Sequence, residues 1–107
     1  MEPSKRAVYG PETSPVERGI SVVIPAFNEE ASVGVEVEAI RQVICRKGTP
    51  FEIIVVDDAS TDQTSSVAMS GGARVFRHME NRGYGAAIKT GIRGALYDTI
   101  VITDADG

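Results

Sequence analysis

Asp104 and Asp106 stand one residue apart, delivered by the apolar run Ile100-Val101-Ile102-Thr103. Carboxylates spaced this way on a loop can share a hard cation, one directly and one through water. A divalent ion so held can carry a diphosphate and offset the charge that a leaving nucleotide develops. Two solvated loop aspartates are the plain alternative, but a buried strand leading into them favours a site.

Two further polar turns lie upstream, each also directly after an apolar run. Pro25-Ala26-Phe27-Asn28-Glu29-Glu30 follows the first. Here Pro25 is expected to stop the strand ladder, and Asn28 can cap the next helix with Glu29 or Glu30 at its positive end. A plain strand-to-helix turn explains those residues, but not an exposed Phe27, whose ring can stack on a planar base. Asp57-Asp58-Ala59-Ser60-Thr61-Asp62 follows the second run. Ser60 or Thr61 as a cap accounts for its later half. Adjacent carboxylates at a strand end repel unless one faces solvent or a ligand's donors, and an aspartate there can accept from a base N–H or a ribose hydroxyl. Acidic pockets of receiver domains and phosphatases show the same pattern.

Asn81-Arg82-Gly83-Tyr84-Gly85-Ala86-Ala87-Ile88 combines two glycines with a helix start. Backbone N–H groups there can cradle a phosphate. Ile88 occupies the place of a third glycine, so the segment is no dinucleotide fingerprint; a tight turn with glycine at positive φ is the alternative. His78 has no carboxylate, serine or cysteine at a recognisable spacing and is expected at the surface. The single cysteine, Cys45, excludes an intrachain disulfide and a cysteine-based zinc site, and fits a reducing cytosol.

The elements that must position these turns alternate. Apolar runs predict strands over residues 20–24, 53–56, 73–77 and 99–103, apolar on both faces as in covered parallel sheets. Amphipathic segments predict helices over 30–46, 61–70 and 84–97. The first places Val33, Val37, Ile40 and Ile44 on one stripe and closes with Arg46-Lys47-Gly48. The third buries Ala87, Ile88, Ile92, Ala95 and Leu96, with Gly91 and Gly94 allowing close approach to a sheet. The expected fold class is therefore α/β: an open, mostly parallel, Rossmann-like sheet of four strands with three flanking helices. All three turns then fall at strand carboxyl ends, where such sheets bind ligands.

With 107 residues the chain holds at most one domain. Residues 1–18, with three prolines and no periodicity, are expected to be a disordered tail preceding a domain over 19–107. A net charge of −4 with scattered basic residues excludes a general nucleic-acid binder. No apolar stretch has bilayer length and the first residues lack a signal-peptide core, so the expected location is cytoplasmic.

Taken together, Val23-Ile24-Pro25-Ala26-Phe27-Asn28-Glu29-Glu30, Ile54 to Thr64, Asn81 to Ala87 and Asp104-Ala105-Asp106-Gly107 resemble the donor-binding half of an inverting family 2 glycosyltransferase of the GT-A fold. The nearest branch in pattern is that of dolichyl- and polyprenyl-phosphate sugar transferases. The resemblance implies that Pro25, Ala26, Phe27 and Glu29 line the base and ribose, that Val56 and Asp58 contact the base with Asp57 as their neighbour in the donor site, and that Gly83 adjoins the donor. It implies that Asp104, Ala105 and Asp106 form the metal-and-diphosphate motif, with Asp104 and Asp106 as ligands of Mg2+ or Mn2+. Phe27 stands where tyrosine is usual, which keeps stacking and loses a hydroxyl. Ala59 replaces a common glycine, tolerable where φ is negative.

The implied partners are a GDP- or UDP-sugar and, in the full enzyme, a lipid-phosphate acceptor at the cytoplasmic face of a membrane. Members of the family continue past the D-x-D motif into the acceptor region, so the chain is expected to be a fragment whose fourth strand has an unpaired edge open to self-association. Two other readings stand beside it. One is a non-catalytic nucleotide-sugar-binding module or pseudoenzyme. The other takes Asp104-Ala105-Asp106-Gly107 as the nucleophile loop of a haloacid-dehalogenase-like phosphohydrolase.

Overall fold

The computed structural model describes residues 17–105. The expected tail lies outside these residues except for its last two, and Glu17 and Arg18 already belong to a strand. Asp106 and Gly107 also lie outside them. The order is β1 (Glu17–Ala26), α1 (Val33–Ile44), β2 (Phe51–Asp57), α2 (Thr64–Ser70), β3 (Arg74–Arg77), α3 (Tyr84–Gly94) and β4 (Tyr97–Ile102), with a 3-10 turn Cys45–Lys47 after α1. Four strands and three helices occur in the expected sequence.

The strands form one parallel sheet in the order β3-β2-β1-β4. Strand order runs outward from β1 through β2 to β3, then reverses to place β4 on the other side of β1. That reversal opens a crevice at the carboxyl ends of β1 and β4. The expectation that Pro25 stops the ladder is corrected: Pro25 pairs with Val56 and the strand runs on to Ala26. Val23 C=O accepts from Thr103 N–H on the β4 side. By alternation, the Pro25 nitrogen faces that same side, beyond the last paired residue of β4, Ile102. No ladder bond is lost there, so proline is tolerated.

Both faces of the sheet are covered, which explains the uninterrupted apolar runs. On one face Val22, Ile24, Ile53 and Val55 pack with Val33, Val37, Ile44 and Ala68 of α1 and α2. On the other, Val23, Ile54 and Val56 pack with Ala87 of α3 and with the half-buried Phe76, Ala95 and Ile100. Packing of the α1 stripe thus overrides the low helix propensity of its valines. Gly48 at φ 69 ends the segment, as its basic last turn and glycine foretell. Past α2, Ala73 N–H donates to Ala68 C=O and Gly72 N–H to Met69 C=O, the paired bonds of a Schellman cap with Gly72 at φ 96.

The third helix stops at Gly94, three residues before its expected end. Leu96 N–H donates to Glu52 and Tyr97 N–H to Ser21 Oγ, drawing that segment into β4 beside β1. Leu96 and Ile92 are consequently exposed rather than buried. The glycines act as expected: a Cβ on Gly91 would collide with Val23, and one on Gly94 with Phe76. The far side of β4 carries no strand among the described residues, and Val101 and Ile102 are each 42% exposed.

Candidate donor-binding site

The turns after β1 and β2 form one unit, zipped together by side chains reaching for backbone. Asn28 N–H donates to Ser60 Oγ at 2.8 Å and Thr61 N–H to Asn28 Oδ1 at 2.8 Å. Glu29 N–H donates to Thr64 Oγ1 at 2.8 Å, and Gln63 N–H to Glu30 Oε1 at 2.8 Å. The capping roles expected of Asn28, Ser60 and Thr61 are therefore corrected. Helices α1 and α2 begin later, at Val33 and Thr64, and neither has a side-chain cap. The polar residues hold turn to turn instead of holding helix ends.

Asn28 and Ala59 have positive φ, 54 and 70. Asparagine tolerates that region. Alanine does not, so the condition under which Ala59 would be neutral is not met.

Asp57 and Asp58 diverge, as neighbours on a strand must. The Asp57 side chain turns into the protein between Arg77, 2.8 Å away, the Ser60 N–H at 2.9 Å and the Ser65 hydroxyl. Burial would raise its pKa, but Ser60, Ser65 and the Arg77 guanidinium outweigh that and hold it below the ordinary range. Val56 is fully buried beneath α3. Neither Val56 nor Asp57 lines the cleft described below.

Asp58 turns the other way. Its Oδ1 accepts from Arg82 N–H at 2.8 Å and its Oδ2 from Gly83 N–H at 2.8 Å. The backbone donors that could have cradled a phosphate are thus engaged by the chain's own carboxylate. Gly83 sits at φ 99, ψ 167, a conformation restricted to glycine. His78 Nδ1 lies 2.7 Å from Asp58 Oδ1 and its Nε2 2.8 Å from Thr90 Oγ1. The expected surface histidine is buried, with a carboxylate partner 20 residues away in sequence. Only the sheet, which brings the ends of β2 and β3 together, reveals that pair. Burial raises the Asp58 carboxyl, and the bonds from Arg82, His78 and Gly83 more than reverse it, so it titrates below the ordinary range.

The crevice at the strand-order reversal holds a cleft of about 390 Å³. Pro25, Ala26, Phe27 and Glu29 line it from β1, and Asp58 from β2. Asn81, Gly83, Tyr84 and Ala87 contribute from the start of α3, and Asp104 and Ala105 from the end of β4. Phe27 and Tyr84 are 46% and 59% exposed, two rings available to a ligand. Asn81 and Tyr84 were not singled out from the sequence, although the glycine-flanked motif holding them pointed to this place.

The described residues contain no cluster of three or more side chains able to ligate a metal. One carboxylate, Asp104, is exposed on the cleft with no donor among the described residues; Asp106 lies outside them. An exposed carboxylate on a cleft suits a hard divalent cation.

The sequence profile described as "Glycosyl transferase family 2" matches residues 21–107. The chain belongs to glycosyltransferase family 2. That assignment sets aside the phosphohydrolase reading. The family 2 chain is 42% identical over 100 residues to human dolichyl-phosphate beta-glucosyltransferase, with 82% of this chain and 31% of that protein covered. Its fold is similar to the mannosyltransferase from Pyrobaculum calidifontis solved in complex with GDP-Man and Mn2+, with TM-score 0.73, 30% identity, and 84% and 28% of the two chains covered. It is likewise similar to glucosyl-3-phosphoglycerate synthase from Mycobacterium tuberculosis in complex with Mn2+, UDP and phosphoglyceric acid, with TM-score 0.71, 34% identity, and 82% and 33% covered. The α/β sheet is thus that of GT-A glycosyltransferases. The chain spans about a third of the length of the curated relatives it matches. No helix of the described residues is long and apolar enough to cross a membrane.

Proposed function

We propose that this chain is the donor-binding part of a glycosyltransferase that takes a UDP- or GDP-sugar with Mg2+ or Mn2+ and transfers the sugar, with inversion, to a polyprenyl or dolichyl phosphate. The observation that carries the reading is a single cleft joining Phe27, Asp58 and Asp104, one from each of three turns, at the strand-order reversal. The metal-bound UDP and GDP-Man complexes of similar folds support the donor class. The dolichyl-phosphate glucosyltransferase supports the acceptor class and a site of action at a membrane face.

In this reading Phe27 stacks on the base. Asp58, held ionised, accepts from a ring N–H, which uracil and guanine both carry. Glu29, on the same cleft, accepts from the ribose hydroxyls. Val56 and Asp57 act through the backbone that sets where Asp58 stands. Asp104, with Asp106, holds the divalent cation, which when bound supplies positive charge to the diphosphate. A lipid phosphate is anionic near neutral pH and needs no strong base, so positioning and electrostatics supply most of the rate.

Titration calorimetry with UDP and GDP tests the donor reading. Affinity should rise on adding Mn2+, and Asp104→Asn should remove that rise. Equal affinity with and without Mg2+ or Mn2+ sinks the metal role. Absence of sugar transfer to a polyprenyl phosphate by the full-length protein sinks the acceptor and leaves a binding module.

A further inference from the structure

His78 is a buried imidazole with both ring nitrogens engaged, and nothing in the proposed chemistry uses it. Its neighbours show what it does. Because Asp58 is ionised, it can only accept, so His78 Nδ1 carries a proton and donates to Oδ1. Its Nε2 faces the Thr90 hydroxyl, on α3, at 2.8 Å. The His78 backbone N–H donates to Asp57 C=O at 2.9 Å, fixing the ring's root to the end of β2.

The Asp58 carboxylate has three donors. Two are the N–H groups of Arg82 and Gly83, in the turn that opens α3, where Gly83 C=O accepts from Ala87 N–H at 3.0 Å. Carboxylate and turn support each other, and the Asn81 amide adds only a 3.3 Å bond to Asp58 C=O. His78 is the side-chain donor of the three, and it ties the carboxylate to the end of β2 through its backbone and to the middle of α3 through Thr90. With Oδ1 filled twice and Oδ2 once, one acceptor position on Oδ2 remains on a residue that lines the cleft.

We propose that His78 is a positioning residue for nucleotide recognition: its Nδ1–H aims the Asp58 carboxylate so that the remaining Oδ2 acceptor meets a ring N–H of the base. This rests on the donor-binding reading above. It differs from a purely structural role in being specific to one ring nitrogen. An asparagine amide reproduces the reach of Nδ1, and a glutamine amide that of Nε2.

The test compares UDP and GDP affinities, with Mn2+ present, for the wild-type protein and for His78→Ala, His78→Asn and His78→Gln, with melting temperatures alongside. His78→Ala and His78→Gln should bind about tenfold more weakly, the effect of losing one bond to a buried charge. His78→Asn should stay close to wild type, even if all three melt at similarly lowered temperatures. If the alanine variant does not fold, Thr90→Val removes the anchor without touching the ring and should also weaken binding. Equal losses in the asparagine and glutamine variants, affinity that follows melting temperature alone, or unchanged affinity in His78→Ala overturns the role of His78 while leaving the donor reading in place. A wild-type protein that binds neither nucleotide overturns both.

Discussion

Thr61 donates its backbone N–H to the side-chain oxygen of Asn28 across 2.8 Å and 33 residues of sequence. Asn28 returns its own N–H to Ser60 Oγ at 2.8 Å while standing at φ 54. Asn28 thus contributes two of the bonds between the turn after β1 and the turn after β2, in a backbone conformation that few side chains accept. Phe27 and Asp58, which share the cleft, lie on either side of this zip, and Asp58 N–H also donates to Ala26 C=O at 2.9 Å.

Replacing Asn28 separates those two roles. Asn28→Gly keeps the conformation and loses the hydrogen bond, which should cost about 1 kcal/mol. Asn28→Ala loses both and should cost about 2 kcal/mol, a fall in melting temperature of roughly 10 °C for a domain this size. Thermal unfolding followed by circular dichroism measures both. Equal losses would show that the left-handed conformation carries no strain.

Ala59 offers the opposite change. At φ 70 its Cβ crowds the following carbonyl. Ala59→Gly should therefore raise stability by up to about 1 kcal/mol, the relief of strain exceeding the added freedom of the unfolded chain. Urea unfolding with an unchanged slope and a higher midpoint is the expected result. A lower midpoint refutes the strain.

Asp57 sets a pH dependence. Its folded pKa lies below the ordinary 3.8, so its ionised form stabilises the fold above that value. Protonation removes this stabilisation as pH falls through the folded pKa. Wild type should lose stability progressively below about pH 4, and Asp58, shifted in the same direction, adds to the slope. Asp57→Asn should be less stable near neutrality and flatter through the acid range, the two curves converging at low pH. Parallel curves from pH 6 to pH 3 would remove Asp57 from the account.

Much of the fold is legible in the sequence because strands buried on both faces must be apolar throughout, and Ile20 to Ile24 and Ile53 to Val56 are nearly so. Boundaries are less legible where polar residues have two uses. Asn28, Ser60 and Thr61 have the chemistry of helix caps, and only the neighbouring turn, some thirty residues off, claims them first. Tyr97 suits a helix face as well as a strand, and the Ser21–Glu52 pair on the two central strands decides for the strand. In the site, local reading does not tell which of Asp57 and Asp58 faces the cleft; the family resemblance names Asp58, which lines it. His78 was beyond reach of local reading, since its partners lie 20 and 12 residues away.

The pairing of β4 with β1 has a kinetic consequence. Strands β1 to β3 join neighbours through single crossovers, whereas Gly19 meets Asp98 across 79 residues. Closing so long a loop is the costliest contact in the sheet and belongs late in assembly. Two residues of the cleft, Asp104 and Ala105, arrive with that strand. Nucleotide binding during refolding should therefore lag behind the recovery of helix, so that a donor analogue reports the last step of folding rather than the first.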